Sequence, residues 1–130
     1  MRILVADDDR DIARALYLRL AAAGFDVSVA HTGREALDLV TRCCPDLVIL
    51  DIMMPDGNGF TVFDMLRTSR ETGEIPVLFL TAHGNIPNWL YAMEHGASDV
   101  IQKPYDGTAL VRTIRETLDR WYGPQTPRAA

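Results

Sequence analysis

Apolar residues fall in short blocks that alternate between two periodicities along the chain. Ile3-Leu4-Val5-Ala6 is a continuous apolar run. Ile12, Leu16 and Leu20 then return every fourth position, the mark of one helical face. Gly24 closes that helix and Phe25 supplies a hydrophobic contact after it. Val27 and Val29 alternate as a half-buried strand, and Thr32-Gly33-Arg34-Glu35 reads as a capping box before Ala36, Leu37 and Val40. Pro45 stops this second helix, and Leu47-Val48-Ile49-Leu50 follows as a run suited to a strand buried on both faces. After a Pro55–Gly59 loop, Phe60, Phe63 and Leu66 predict a third helix, and Val77-Leu78-Phe79-Leu80 a fourth strand. Pro87 suits the first position of a fourth helix, with Leu90 and Met93 on one side and Gly96 at its end. Val100-Ile101 predicts a fifth strand, and Asp106 caps a last helix carrying Leu110, Ile114 and Leu118. Five strand–helix units in succession predict an α/β fold with a parallel sheet covered on both faces.

Composition narrows the class. A chain of 130 residues with 48% hydrophobic residues is one domain with enough material for a core. Its net charge of −5 argues against direct nucleic-acid binding by this segment. No apolar run approaches the roughly 20 residues that cross a bilayer, and the first residues do not read as a signal peptide, so a cytoplasmic location and no membrane partner are expected. Residues 1–120 are expected to form the domain and 121–130 a tail or the start of a linker. Cys43 and Cys44 are neighbours; a disulfide between them would be strained, and they read as two small residues closing a helix.

The polar residues that follow the buried strands carry the chemistry. Asp7-Asp8-Asp9 follow the first strand, Asp51 ends the third, Thr81 ends the fourth, and Gln102-Lys103-Pro104 follow the fifth. In a parallel sheet these strand ends share one edge, where open α/β sheets bind ligands. Singly, an Asp there is an ordinary cap, Thr81 a turn hydroxyl and Lys103 a solvated lysine; a surface-turn account does not require the whole set after four separate buried strands. Converging carboxylates repel, which is relieved by a proton or by a divalent cation. Hard oxygen ligands at a partly hydrated site suit Mg²⁺. A carboxylate beside such a cation and a lysine is equipped to attack phosphorus.

These residues resemble the receiver domain of bacterial two-component response regulators. The resemblance rests on Ile3–Asp9, on Pro45–Pro55 with Gly59, and on Thr81-Ala82, Gly96-Ala97 and Lys103-Pro104 in order, covering residues 2 to about 120. It implies a flavodoxin-like, doubly wound (βα)5 fold with strand order 2-1-3-4-5. It implies that Asp51 is the phosphoacceptor. Asp8, Asp7 (largely through water), Asp51 and the backbone carbonyl of Met53 would hold Mg²⁺ or Mn²⁺. Thr81 would hydrogen-bond a phosphoryl oxygen and Lys103 pair with the phosphoryl group, with a cis bond before Pro104 helping to aim it. The donor would be a sensor histidine kinase or a histidine phosphotransfer protein. The fourth helix, fifth strand and fifth helix would present the face read by an output domain or partner, with a phosphorylation-dependent dimer open to it. Such a domain catalyses only its own phosphorylation and dephosphorylation.

One position departs from the family pattern: Val100 stands where an aromatic is usual, three residues before the lysine, and predicts that an aromatic readout on the fifth strand is absent or replaced. Tyr105 is a poor substitute, because the family also carries an aromatic there. His83, two positions after Thr81, is a candidate for tuning hydrolysis, against the plainer reading of a solvated loop histidine. Trp89 is a candidate partner contact on the fourth helix, or an amphipathic ring at the core edge. Three other readings compete. A haloacid-dehalogenase-like phosphatase would use Asp7 as nucleophile, but Asp11 stands where Thr or Val is expected and Asp51 is left without a role. A flavodoxin-like cofactor module would want a phosphate loop where three aspartates stand. A degenerate receiver could serve only for docking, yet the acidic site is intact.

Overall fold

A computed structural model describes residues 1–54, 57–81, 86–94, 96–103 and 105–124, with the backbone alone at 57, 58 and 86–89. Its central sheet holds β1 (Arg2–Ala6), β2 (Asp26–Ala30), β3 (Leu47–Asp51), β4 (Val77–Thr81) and β5 (Asp99–Gln102). All neighbours are parallel, in the order β2-β1-β3-β4-β5, which is the order the resemblance implies. The helices are α1 (Arg10–Ala22), α2 (Gly33–Cys43), α3 (Gly59–Thr68), α4 (Ile86–Glu94) and α5 (Gly107–Tyr122). Met53–Met54 pairs antiparallel with Gly57–Asn58, a short ladder where the sequence reads only as loop.

The apolar runs are continuous because both faces of the sheet are covered. Successive strand residues point to opposite faces. Ile3, Val5, Leu47, Ile49, Leu78 and Leu80 pack with Leu16 and Leu20 of α1 and Leu110, Ile114 and Leu118 of α5. Leu4, Val48, Leu50, Val77 and Phe79 pack on the other face with residues of α2, α3 and α4. Leu90 and Met93 of α4 are exposed, and among the described side chains of that helix small Ala92 is the fully buried one.

Local chemistry fixes the element ends. Gly24 (φ +96°) follows α1; its N–H donates to Ala21 O and the Phe25 N–H to Leu20 O, a Schellman closure. Asp9 caps α1 through the Asp11 and Ile12 N–H groups, and Asp106 caps α5 through those of Thr108 and Ala109. Cys44 ends α2 in the left-handed region (φ 48°), and both cysteines are free thiols, as read. α5 runs two residues past position 120 and is tied back by the Tyr122 hydroxyl, which donates to Asp46 O at 2.7 Å. At the sheet's β5 edge, the Asp99 carboxylate accepts the Val100 N–H at 2.8 Å. Among the described residues, no helix is long and apolar enough to cross a membrane.

The Thr32 hydroxyl accepts the Glu35 N–H at 3.1 Å. Thr32→Ala leaves that donor to water and is expected to cost about 0.5–2 kcal/mol. Urea unfolding checks it: the midpoint should fall with an unchanged slope, and an unmoved midpoint would remove the cap from the account.

Candidate functional site

The three aspartates after β1 take three different positions. Asp7 is fully buried, and one of its carboxylate oxygens accepts the Asp9 N–H at 3.0 Å. Asp8 is exposed at the crevice, and Asp9 is consumed by its cap on α1. Asp51 closes β3 with 6% exposure, and its Oδ1 accepts the Met53 N–H at 3.1 Å. Carboxylate oxygens of Asp7, Asp8 and Asp51 lie within 4.8 Å of one another, so hard oxygen donors converge beside open solvent at Asp8.

Lys103 enters from the end of β5. Its Nζ donates to Asp7 Oδ2 at 3.0 Å and to Asp51 Oδ2 at 3.1 Å, bridging two carboxylates that are 96 and 52 positions away in sequence. The Lys103 N–H extends the ladder by donating to Thr81 O at 2.8 Å. Thr81 itself is buried at the end of β4. Burial pushes the Asp51 carboxyl up from 3.8 to about 6; the neighbouring Asp7 charge adds to the rise, and hydrogen bonds from Lys103 and the Met53 N–H oppose it. Burial also works against the Lys103 ammonium, but its hydrogen bonds to Asp7 and Asp51 outweigh that and raise its pKa.

Gly59, the first residue of α3, presses on the same strand end. Its N–H donates to Ile52 O at 2.7 Å, and a Cβ built there would stand 2.5 Å from the Asp51 carbonyl oxygen. His31 escapes the sequence reading; it follows β2 at this edge, and its Nδ1 lies 3.2 Å from Asp7 O. The only signal for it was its place just after an alternating strand. Val100 lies opposite Phe79 in register and packs on the α2–α4 face, whereas Tyr105 packs on the α1–α5 face. The sheet thus separates Tyr105 from Val100, so it cannot stand in for an aromatic at position 100. Pro55, Ala82, His83 and Pro104, with the peptide bond before Pro104, lie outside the described residues, as does the side chain of Trp89.

Residues 3–115 match the family model for the response regulator receiver domain. The chain belongs to that family. This receiver domain is 40% identical over 119 residues to the DNA-binding dual master transcriptional regulator RpaA of Synechocystis, covering 92% of this chain and 49% of that protein. It is 42% identical over 119 residues to the transcriptional regulatory protein CpxR of Escherichia coli, covering 92% and 50%. The receiver domain therefore spans about half the length of these curated relatives. A solved putative response regulator from Chloroflexus aurantiacus superposes with a TM-score of 0.87 at 35% identity, covering 92% of this chain and 98% of that one. A CheY-like receiver domain protein from Methanospirillum hungatei gives 0.86 at 27% identity, covering 93% and 95%. Five parallel strands and helices on both faces are the receiver architecture, and the acidic cluster lies in the crevice at its strand ends.

Proposed function

We propose that this receiver domain takes a phosphoryl group onto Asp51 from a phosphohistidine of a sensor histidine kinase or a histidine phosphotransfer protein. The observation that carries the reading is the Lys103 ammonium held between Asp7 and Asp51 at the crevice. An Asp51 oxygen attacks phosphorus; the P–O bond forms as the P–N bond breaks, and the electron pair leaves with the donor imidazole. Lys103 then pairs with a phosphoryl oxygen in place of the Asp51 carboxylate, and the Thr81 hydroxyl donates to another. Asp7, Asp8, Asp51 and the Met53 carbonyl fit a hard divalent cation in their oxygen chemistry, with Asp8 exposed where waters complete the shell. A bound Mg²⁺ or Mn²⁺ would supply positive charge to the phosphoryl oxygens and to the ionised form of Asp51.

The domain acts on itself, in both gain and hydrolytic loss of the group, and turns over no external substrate. His83 tunes the attacking water, and Pro104 helps aim Lys103. Residues 1–120 are the working unit, in the cytoplasm, with residues 121–130 a tail or the start of a linker. The output is read from the α4, β5 and α5 face, by an output domain, a partner or a second phosphorylated copy. Exposed Leu90, Met93 and Trp121 offer apolar contacts there.

Intact-mass spectrometry after incubation with acetyl phosphate tests the chemistry. A gain of one phosphoryl group, about 80 Da, is expected only with Mg²⁺ present and only with Asp51 intact. An adduct that survives Asp51→Asn but disappears in Asp7→Asn would assign the nucleophile to Asp7 and overturn the reading.

A further inference from the structure

Three aromatic rings run from the strand beside the site to the surface of α4. Phe79 precedes Thr81 by two positions on β4, so the two side chains share a face of the sheet. The Phe79 ring lies 5.0 Å, centroid to centroid, from that of Phe60, and Phe60 lies 4.4 Å from Tyr91 of α4. Tyr91 is 37% exposed, so the row ends at solvent. Phe60 immediately follows Gly59, whose backbone is pinned against Asp51 and Ile52. One ring therefore touches β4 and α4 and is joined by one peptide bond to the nucleophile's wall. On β5 the position opposite Phe79 carries no ring: Val100 there is short and stiff at χ1.

We propose that Phe60 and Tyr91 carry the state of the Asp51 site to the exposed face of α4. The proposal rests on the phosphoacceptor reading above. Close-packed interiors move between discrete arrangements rather than deforming smoothly. A phosphoryl group added at Asp51 would reach the Gly59 contact through the Asp51 backbone, and the end of β4 through the neighbouring strand register. Both routes meet at the Phe60 ring, and Tyr91 is its partner at the surface. Phe60 is here a positioning residue, with no contact to the reacting atoms.

The test uses the full chain labelled with 3-fluorotyrosine, with the Tyr91 fluorine resonance assigned through Tyr91→Phe. Acetyl phosphate and Mg²⁺ are added, and each sample is weighed by intact mass. The expected result is a phosphoryl adduct accompanied by a shift of the Tyr91 resonance. Phe60→Leu keeps apolar bulk and should keep the adduct, yet lose most of the Tyr91 shift. Phe63→Leu, at a ring that touches Phe79 at 5.4 Å but is not joined to Gly59, should lose little of it. A full Tyr91 shift in phosphorylated Phe60→Leu, or an adduct with no Tyr91 shift in the unsubstituted chain, would overturn the relay and leave the phosphoacceptor reading standing. No adduct in the unsubstituted chain would sink both.

Discussion

Gly59→Ala should destabilise the domain by about 1–3 kcal/mol, at the upper end because the obstacle is backbone. The added Cβ would stand 2.5 Å from the Asp51 carbonyl oxygen and 3.2 Å from both Asp51 C and Ile52 Cα. None of these atoms can rotate aside, so α3 must part from the end of β3. The 2.7 Å bond from Gly59 N–H to Ile52 O would then be stretched or lost. That movement displaces the carboxylate itself, so phosphoryl incorporation should fall together with the urea midpoint. Gly107→Ala is the matched control. There the nearest atoms belong to the Arg19 guanidinium, the far end of a flexible side chain, and little change is expected. Equal effects of the two substitutions would show that backbone contact at Asp51 is not what requires glycine at 59.

Without metal, the contribution of Asp51 to stability should fall as pH rises from about 4 to about 6, and then level off. Folded Asp51 keeps its proton up to about 6, whereas 3.8 is its unperturbed value. Between those values the folded state binds more protons than the unfolded chain, so each rise in pH favours unfolding. The whole effect is about 3 kcal/mol, since a tenfold change in a proton affinity is worth about 1.4 kcal/mol. Urea unfolding in the presence of a chelator measures it. Asp51→Asn should remove most of the slope and make the metal-free protein more stable at neutral pH. Mg²⁺ should recover much of the loss in the unsubstituted chain, by about 2.7 kcal/mol at a concentration 100 times its dissociation constant. A slope unchanged by Asp51→Asn would place the titrating group elsewhere.

Much of this was legible in the chain because local chemistry and tertiary packing agree. Gly24-Phe25 closes α1 as its residue types require, and Thr32 and Asp106 cap the helices they precede. The four strand-end positions could be placed on one edge because parallel strands leave no other arrangement. The position of Lys103 was legible but its resting partners were not. The phosphoryl partner was inferred from the family, whereas the bridge to Asp7 and Asp51 depends on side-chain reach across the crevice. Gly59 could be read as a turn residue, but its backbone contact with Asp51 needs the angle at which α3 meets the sheet. On α4 the pattern misleads in another way. Ile86, Leu90, Tyr91, Ala92 and Met93 leave few polar positions to mark a face, and among the described side chains of α4 it is Ala92, the smallest, that is fully buried.

The hydrogen bond at the β5 edge bears on how copies of this domain can assemble. A sheet with two open sides is a template on which another chain's strand can lie down, and such growth needs free backbone donors along the edge. At β5 the Val100 donor is already held by Asp99, and at the other margin β2 opens on the exposed carboxylate of Asp26, 3.6 Å from Arg2 Nε. An incoming strand would meet an occupied donor on one side and the hydrated Arg2–Asp26 ion pair on the other. Continuation of the sheet from copy to copy is thereby discouraged, and the helical faces are left as the surfaces on which another chain can settle.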